Sequence, residues 1–333
     1  MADYKAVKGL TIQTVSSDPS NITAGDVWYN STLGKIRGAQ AAAGAWASGG
    51  NLSRGAAGNS AGCGTQTAAI NAGGYRGSPS GNVALAETYD GSSWTEVGDL
   101  NTARNQPSGA GLAPQTAALV YGGGPPWKDE TESWNGSSWT EVGDLNKGKG
   151  SATGAGTQTA ALMLGGYAPG GPGLLAEVEF WNGTSWTETT DINTARYHLG
   201  GCGTQTSAIV WAGGVTDQTT VVEQWNGTSW TEVADINNSR MQNGPTGAGE
   251  SGTSALAIGG ANVPASPRAT AYTEQWDGTS WTEIADLGTA RYAKPDVGTT
   301  SLALVIGGYD PSVTASTEEW SGAPIQAANW DTT

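Results

Sequence analysis

Histidine, cysteine, arginine and clustered carboxylates are the residues through which a chain does chemistry, and this one has few of the first two. His198 is its single imidazole among 333 residues, so a copper-type centre, which draws on several imidazoles, has no ligand set. Serine-hydrolase chemistry fails on the same shortage, with no second histidine and no nucleophile elbow. Arg54, Arg104, Arg196, Arg240 and Arg291 do not cluster but recur with a regular rhythm, which predicts a structural role. No catalytic residue, metal or organic cofactor is expected, and the chain reads as a non-enzyme.

That rhythm belongs to a repeat. WNGSSWTEVGDLN (134–146), WNGTSWTETTDIN (181–193) and WNGTSWTEVADIN (225–237) are near copies, with YDGSSWTEVGDLN (89–101) and WDGTSWTEIADLG (276–288) beside them. A glycine pair closes a short apolar run at Gly73, Gly122, Gly165, Gly213, Gly259 and Gly307, giving a unit of about 47 residues. A unit this small cannot bury its apolar face alone and must stack on its neighbours.

Each unit reads as four short strands rich in Thr, Val, Trp and Ala, bounded by Gly, Asn and Asp. Asn-Gly or Asp-Gly separates the last two at Asn135, Asn182, Asn226, Asp90 and Asp277, which predicts a tight hairpin with positive φ at both turn positions. Three of these are also glycosylation sequons. Asp at the other two favours the turn, since Asp can replace Asn there but cannot accept a glycan.

Gly-Gly after the second strand, Glu-x-Trp or Glu-x-Tyr in the third (Glu132 and Trp134, Glu87 and Tyr89) and Trp in the fourth resemble the kelch superfamily over about residues 44–322. The resemblance implies an all-β, six-bladed kelch-like β-propeller. Six units carry the Gly-Gly strand and six the Glu-x-aromatic strand, but none of the SWTEV type follows Trp320. An orphan copy stands at GAWASGGNLSR (44–54), where Trp46 aligns with Trp94 and Arg54 with Arg104. The last blade is therefore expected to borrow its outer strand from residues 44–48, closing the ring; Trp330 is the rival. Cys63 and Cys202 then fall at one repeat position on opposite blades, too far apart for a disulfide, and are expected as buried free thiols. Kelch and other six-bladed propellers include copper oxidases and sialidases, whose histidine and arginine sets are not reproduced here.

In such a blade the 2–3 loops and 4–1 connections share one face. Here that face varies from unit to unit while the GTQT and NGTS turns of the other face hardly change. Binding residues favour variable loops on a rigid scaffold, which selects Trp127, Tyr197 and Tyr292, with Tyr75, Tyr167 and Tyr309 just after their glycine pairs. The repeated tryptophans read as packing between blades, with stacking on sugars as the competing use. A net charge of −15 argues against nucleic acid, and neither a membrane-length apolar run nor a secretory leader is present.

Residues 1–43 fall outside the repeat and read as a short N-terminal β-hairpin arm, and residues 323–333 as a C-terminal tail. GDVWYNSTLGK (25–35) resembles segments of bacteriophage tail-fibre-like virion proteins, and the WNGTSWTE repeats resemble marine phage structural proteins. The resemblance implies a virion protein made in the bacterial cytoplasm, docked to other virion proteins through Trp28, Tyr29 and Lys35. It would be present in multiple copies or as a homo-oligomer, displaying the propeller to a host surface glycan or receptor. Capsid decoration is the alternative; from other classes, a carbohydrate-binding lectin or a glycan-active propeller enzyme.

Overall fold

The repeat dictates strands because each unit alternates β-branched and aromatic residues with turn-forming Gly, Asn and Asp. In the computed structural model those strands form six four-stranded antiparallel blades. The structure describes residues 12–22, 26–41, 43–55, 58–77, 81–169, 173–215, 217–241, 247–263, 268–309, 311–322 and 325–329, and none of these is helical.

Blade 1 consists of Ala61–Thr65, Ala68–Ala72, Ala86–Tyr89 and Trp94–Glu96; blade 2 of Ser108–Gly109, Leu119–Tyr121, Thr131–Trp134 and Trp139–Val142. Blade 3 consists of Thr153–Thr157, Ala160–Tyr167, Leu174–Trp181 and Trp186–Glu188; blade 4 of Gly200–Thr204, Ser207–Trp211, Val222–Trp225 and Trp230–Val233. Blade 5 consists of Ala248–Ser251, Ser254–Ala261, Ala269–Trp276 and Trp281–Glu283. Blade 6 takes Asp296–Gly298, Leu302–Ile306 and Thr317–Ser321 and is completed by Ala45–Ser48. Each innermost strand touches the next, and that of blade 6 touches that of blade 1, so the ring is closed. The fold is a β-propeller.

The closing strand is the one expected. Trp46 packs on Trp320 with ring centroids 5.4 Å apart, as Trp134 packs on Trp139 at 5.3 Å, and Leu52 N donates to Ala315 O at 2.9 Å. Trp330 lies outside the described residues. The structure corrects one alignment. Leu100 N donates to Ala84 O as Leu52 N does to Ala315 O, so Leu52 corresponds to Leu100 and Arg54 to Thr102, not to Arg104. Accordingly Arg54 is partly exposed and pairs with Asp99 at 2.6 Å.

One carboxylate per blade holds the 4–1 connection. Glu132 accepts from Asn101 N (2.7 Å), Asn101 Nδ2 (2.9 Å) and Arg104 Nη2 (2.6 Å), and Arg104 also donates to Glu130 O at 2.8 Å. The arrangement recurs as Arg196–Glu223, Arg240–Glu274 and Arg291–Glu318, with Lys149–Glu179 standing in for blade 3. All five cations are buried, so the regular arginines are spent on structure. Removing one partner of such a pair costs about 3–5 kcal/mol, because it strands the other charge in the core.

The repeated tryptophans are buried as well. Third-strand rings bond back to the 1–2 turn, as Trp181 Nε1 to Gln158 O at 2.9 Å, and fourth-strand rings reach the preceding blade, as Trp139 Nε1 to Gly98 O at 2.9 Å. The glutamine of GTQT crosses blades too: Gln158 Nε2 donates to Ala118 O (3.3 Å) and Trp134 O (2.6 Å) of blade 2, and Gln115, in the APQT turn of blade 2, does the same with Ala69 O (3.0 Å) and Tyr89 O (2.8 Å). Near-invariance of the GTQT face thus has a packing cause.

The Asn-Gly turns are not two-residue hairpins. Trp134 pairs directly with Trp139, leaving a four-residue loop. Of the Asn-Gly pair only the glycine, Gly136 at φ 92, has positive φ. Asn135 Oδ1 accepts from Ser137 N and Ser138 N, each at 2.9 Å, and Asp90 and Asp277 do the same. Asn and Asp interchange because either supplies that oxygen.

The rest of the chain, residues 1–45 and 322–333, forms a separate unit. Its sheet runs in the order Gln13–Val15, Val27–Asn30, Lys35–Ala41, Ile325–Asn329. The expected hairpin is its centre. What was read as a tail at 323–333 instead supplies the strand Ile325–Asn329, antiparallel to Lys35–Ala41.

Candidate functional site

The variable face is built where each chain crossing enters a new blade. Where the chain enters a blade, the backbone bridges to the residue behind that blade's glycine pair: Gly58 to Tyr75, Gly150 to Tyr167, Tyr197 to Gly214, Met241 to Ala261 and Tyr292 to Tyr309, the last four directly after the buried Lys149, Arg196, Arg240 and Arg291. Blade 4 departs from the predicted register by one residue. Ala212 (φ 57) and Gly213 (φ 93) take the left-handed pair of positions held by Gly73 and Gly74, and Arg196 Nη1 bonds Ala212 O as Arg104 Nη1 bonds Gly122 O. Gly214 therefore stands where blades 1, 3 and 6 carry tyrosine.

All six aromatic candidates are half-buried on this face. Trp127, Tyr167 and Tyr197 form one row, with centroids 5.3 and 6.4 Å apart. Tyr292 and Tyr309 stack at 5.6 Å, with Arg268 5.1 Å above the Tyr292 ring. Burial, and next the neighbouring hydroxyls of Tyr75 and Tyr292, push the Tyr309 phenol up to about 12. The rings also pack the blade junctions by size: a methyl group at Gly58 would strike the Tyr309 ring, and one at Gly150 would lie 3.0 Å from Trp127.

Residues that the aromatic pattern missed sit at the mouth of the axis. Ser151 Oγ donates to Gln106 Oε1 at 2.9 Å, Gln106 Nε2 lies 3.3 Å from His198 Nε2, and the His198 ring is 4.6 Å from Tyr197. Burial first, then the Arg268 charge, hold the His198 imidazole down at about 4, so it is neutral at physiological pH. A signal existed in the sequence: Gln106, Ser151 and His198 each stand two residues after the buried cation Arg104, Lys149 or Arg196.

In the separate unit, the expected docking residues part company. Trp28 is 2% exposed, and its indole donates to Asp18 at 2.9 Å, beside Asn30 (3.0 Å) and Arg37 (2.8 Å) on the same carboxylate. It is a core residue and not a docking contact, because alternation along the strand turns it inward. Tyr29 faces the other way, directly opposite Ile36, and both are exposed, at 37% and 43%. Lys35 is exposed opposite Asn30, on the Trp28 side of the pleat. Among the described residues no group of His, Cys, Asp and Glu is arranged to hold a metal ion.

No family model matches this chain, and no curated protein matches it. Among solved structures it is similar to that of YjhT, with a TM-score of 0.64 and 13% identity over 82% of this chain and 98% of that chain. The likeness is one of fold.

Proposed function

We propose that this chain is a non-enzymatic structural and adhesion component of a bacteriophage particle, displaying the propeller's variable face to a host surface glycan or receptor. The observation that carries the adhesion reading is the contrast between the two faces. One is committed to inter-blade hydrogen bonds from a turn glutamine kept in four blades, Gln66, Gln115, Gln158 and Gln205. The other carries loops free to differ and a set of half-buried aromatic rings. Multiple copies on one particle would turn weak contacts into firm attachment through effective concentration.

The phage assignment rests on the GDVWYNSTLGK segment and the repeat wording. Docking to other virion proteins falls to the separate unit, through the exposed Tyr29 and Lys35. Cryo-electron microscopy of the particle, combined with adsorption assays on Trp127→Ala and Tyr197→Ala variants, tests the reading. Propellers on the tail and impaired adsorption are expected. Propellers on the head with normal adsorption would make it capsid decoration, and hydrolysis of host glycans by the purified chain would make it an enzyme.

A further inference from the structure

Five equivalent residues, Asn59, Gln106, Ser151, His198 and Ala293, hold left-handed backbones with φ of 53, 56, 53, 51 and 57. Glycine adopts that conformation without penalty, and the chain uses glycine for it at the neighbouring glycine pairs. Here a side chain is kept at every described copy, and four of the five are polar. Backbone bonds tie the copies around the axis: Asn59 N to Ala293 O at 2.6 Å, Gln106 N to Asn59 O at 2.9 Å and His198 N to Ser151 O at 2.7 Å.

The side chains converge as well. Gln106 belongs to blade 2, Ser151 to blade 3 and His198 to blade 4, and Gln106 touches both of the others. Non-adjacent blades of a ring meet only near its axis. One atom of the cluster, His198 Nδ1, is buried without a hydrogen-bond partner among the described residues. Buried polar atoms are rarely left so, and a ligand in the mouth would supply the partner.

We propose that this axial cluster binds a single neutral pyranose, the terminal sugar of a surface glycan, through Gln106, Ser151 and His198. The row Tyr197, Tyr167 and Trp127 flanks its apolar face. The chemistry selects this class because amide, hydroxyl and neutral imidazole each donate and accept, as sugar hydroxyls do. No carboxylate bonds any of the three among the described residues. The assignment deepens the adhesion reading and rests on it.

His198 is the sole histidine, so its ring gives one unambiguous signal in the full chain carrying 15N-labelled histidine. Methyl glycosides of glucose, galactose, mannose and N-acetylglucosamine are titrated to about 50 mM, enough to register a Kd near 10 mM. A saturable shift with at least one is expected, weakened at least about tenfold by Gln106→Gly and by Ser151→Gly. Glycine suits the left-handed backbone and offsets the lost contacts, so both variants should still fold and unfold in one cooperative transition, and a purely structural cluster would leave sugar binding unchanged in them. An unmoved His198 signal, or a shift indifferent to both variants, overturns the site. Binding of the purified chain to host cells separates the two ideas: cell binding without any glycoside shift refutes the axial site alone, whereas a glycoside shift without cell binding supports the site and refutes adhesion.

Discussion

Blade 6 lacks a hydrogen bond that the connections into blades 2, 3 and 5 make, and restoring it should stabilise the ring. In blade 5, Asn237 gives Glu274 its backbone N–H and its side-chain Nδ2, both at 2.7 Å, and Nδ2 also reaches Trp281 O at 3.2 Å. Asn101 and Asn146 repeat this. At the seam the equivalent residue is Gly288, which offers Glu318 only its backbone N–H, at 2.7 Å. A Cβ there would lie 3.0 Å from Glu318 Oε2, a flexible side-chain atom, and the φ of Gly288 is not left-handed.

Gly288→Asn adds a hydrogen bond to a charged acceptor, worth about 1.5–3 kcal/mol where buried and less at this part-exposed edge. It also removes about 0.4–1 kcal/mol of unfolded-chain entropy. A net gain of about 1–2 kcal/mol follows, and Asn237→Gly should lose a similar amount. Urea unfolding monitored by tryptophan fluorescence, with the midpoint shift multiplied by the slope, measures both. If Asn237→Gly is destabilising but Gly288→Asn is neutral, the seam geometry differs from the other blades; if both are neutral, the carboxylate-hub account is refuted.

Three further outcomes are expected. Arg196→Met strands the buried Glu223 and should cost about 3–5 kcal/mol in the same urea assay, whereas Arg54→Met, which breaks a partly exposed ion pair with Asp99, should cost no more than about 1 kcal/mol. The Asp277 carboxyl is lowered from 3.8 to about 2, first by the Thr279 hydroxyl and then by the Ser280 and Thr279 amides. Its contribution is therefore fully present above pH 3.8 and lost as pH falls through about 2; acid titration followed by circular dichroism should show a shallower loss over that window in Asp277→Asn, which keeps the accepting oxygen. Removal of residues 1–43 should leave the propeller folded, whereas removal of 1–48 deletes Trp46 and opens blade 6, lowering the melting temperature sharply.

Much of the fold was legible because a repeat turns one local pattern into six. Glu-x-Trp and the glycine pairs marked strands that must recur, and the orphan Trp46 announced the seam because every other unit had a tryptophan in its place. What local pattern could not supply was register. Arg54 was misaligned by two residues and the blade 4 glycine pair by one, since both errors lie in loops whose lengths differ, and only the hydrogen bonds to Glu87, Ala315 and Arg196 fix the equivalences.

The candidate site divides in the same way. Aromatic residues on variable loops could be picked out from topology, and the structure gathers Trp127, Tyr167 and Tyr197 into one row. That Gln106, Ser151 and His198 meet could not be read, because they lie in three blades and come together only through closure of the ring. Nor could the inward turn of Trp28, beside an equally aromatic Tyr29, since strand alternation says that the two point apart but not which side is covered. The sequence by itself determined the strands, the blade count and the closing segment, all consequences of short-range periodicity repeated along the chain. Tertiary structure decided which side chains share the axis and which carboxylate each connection meets, because those contacts join residues far apart in sequence and exist only once every blade is in place.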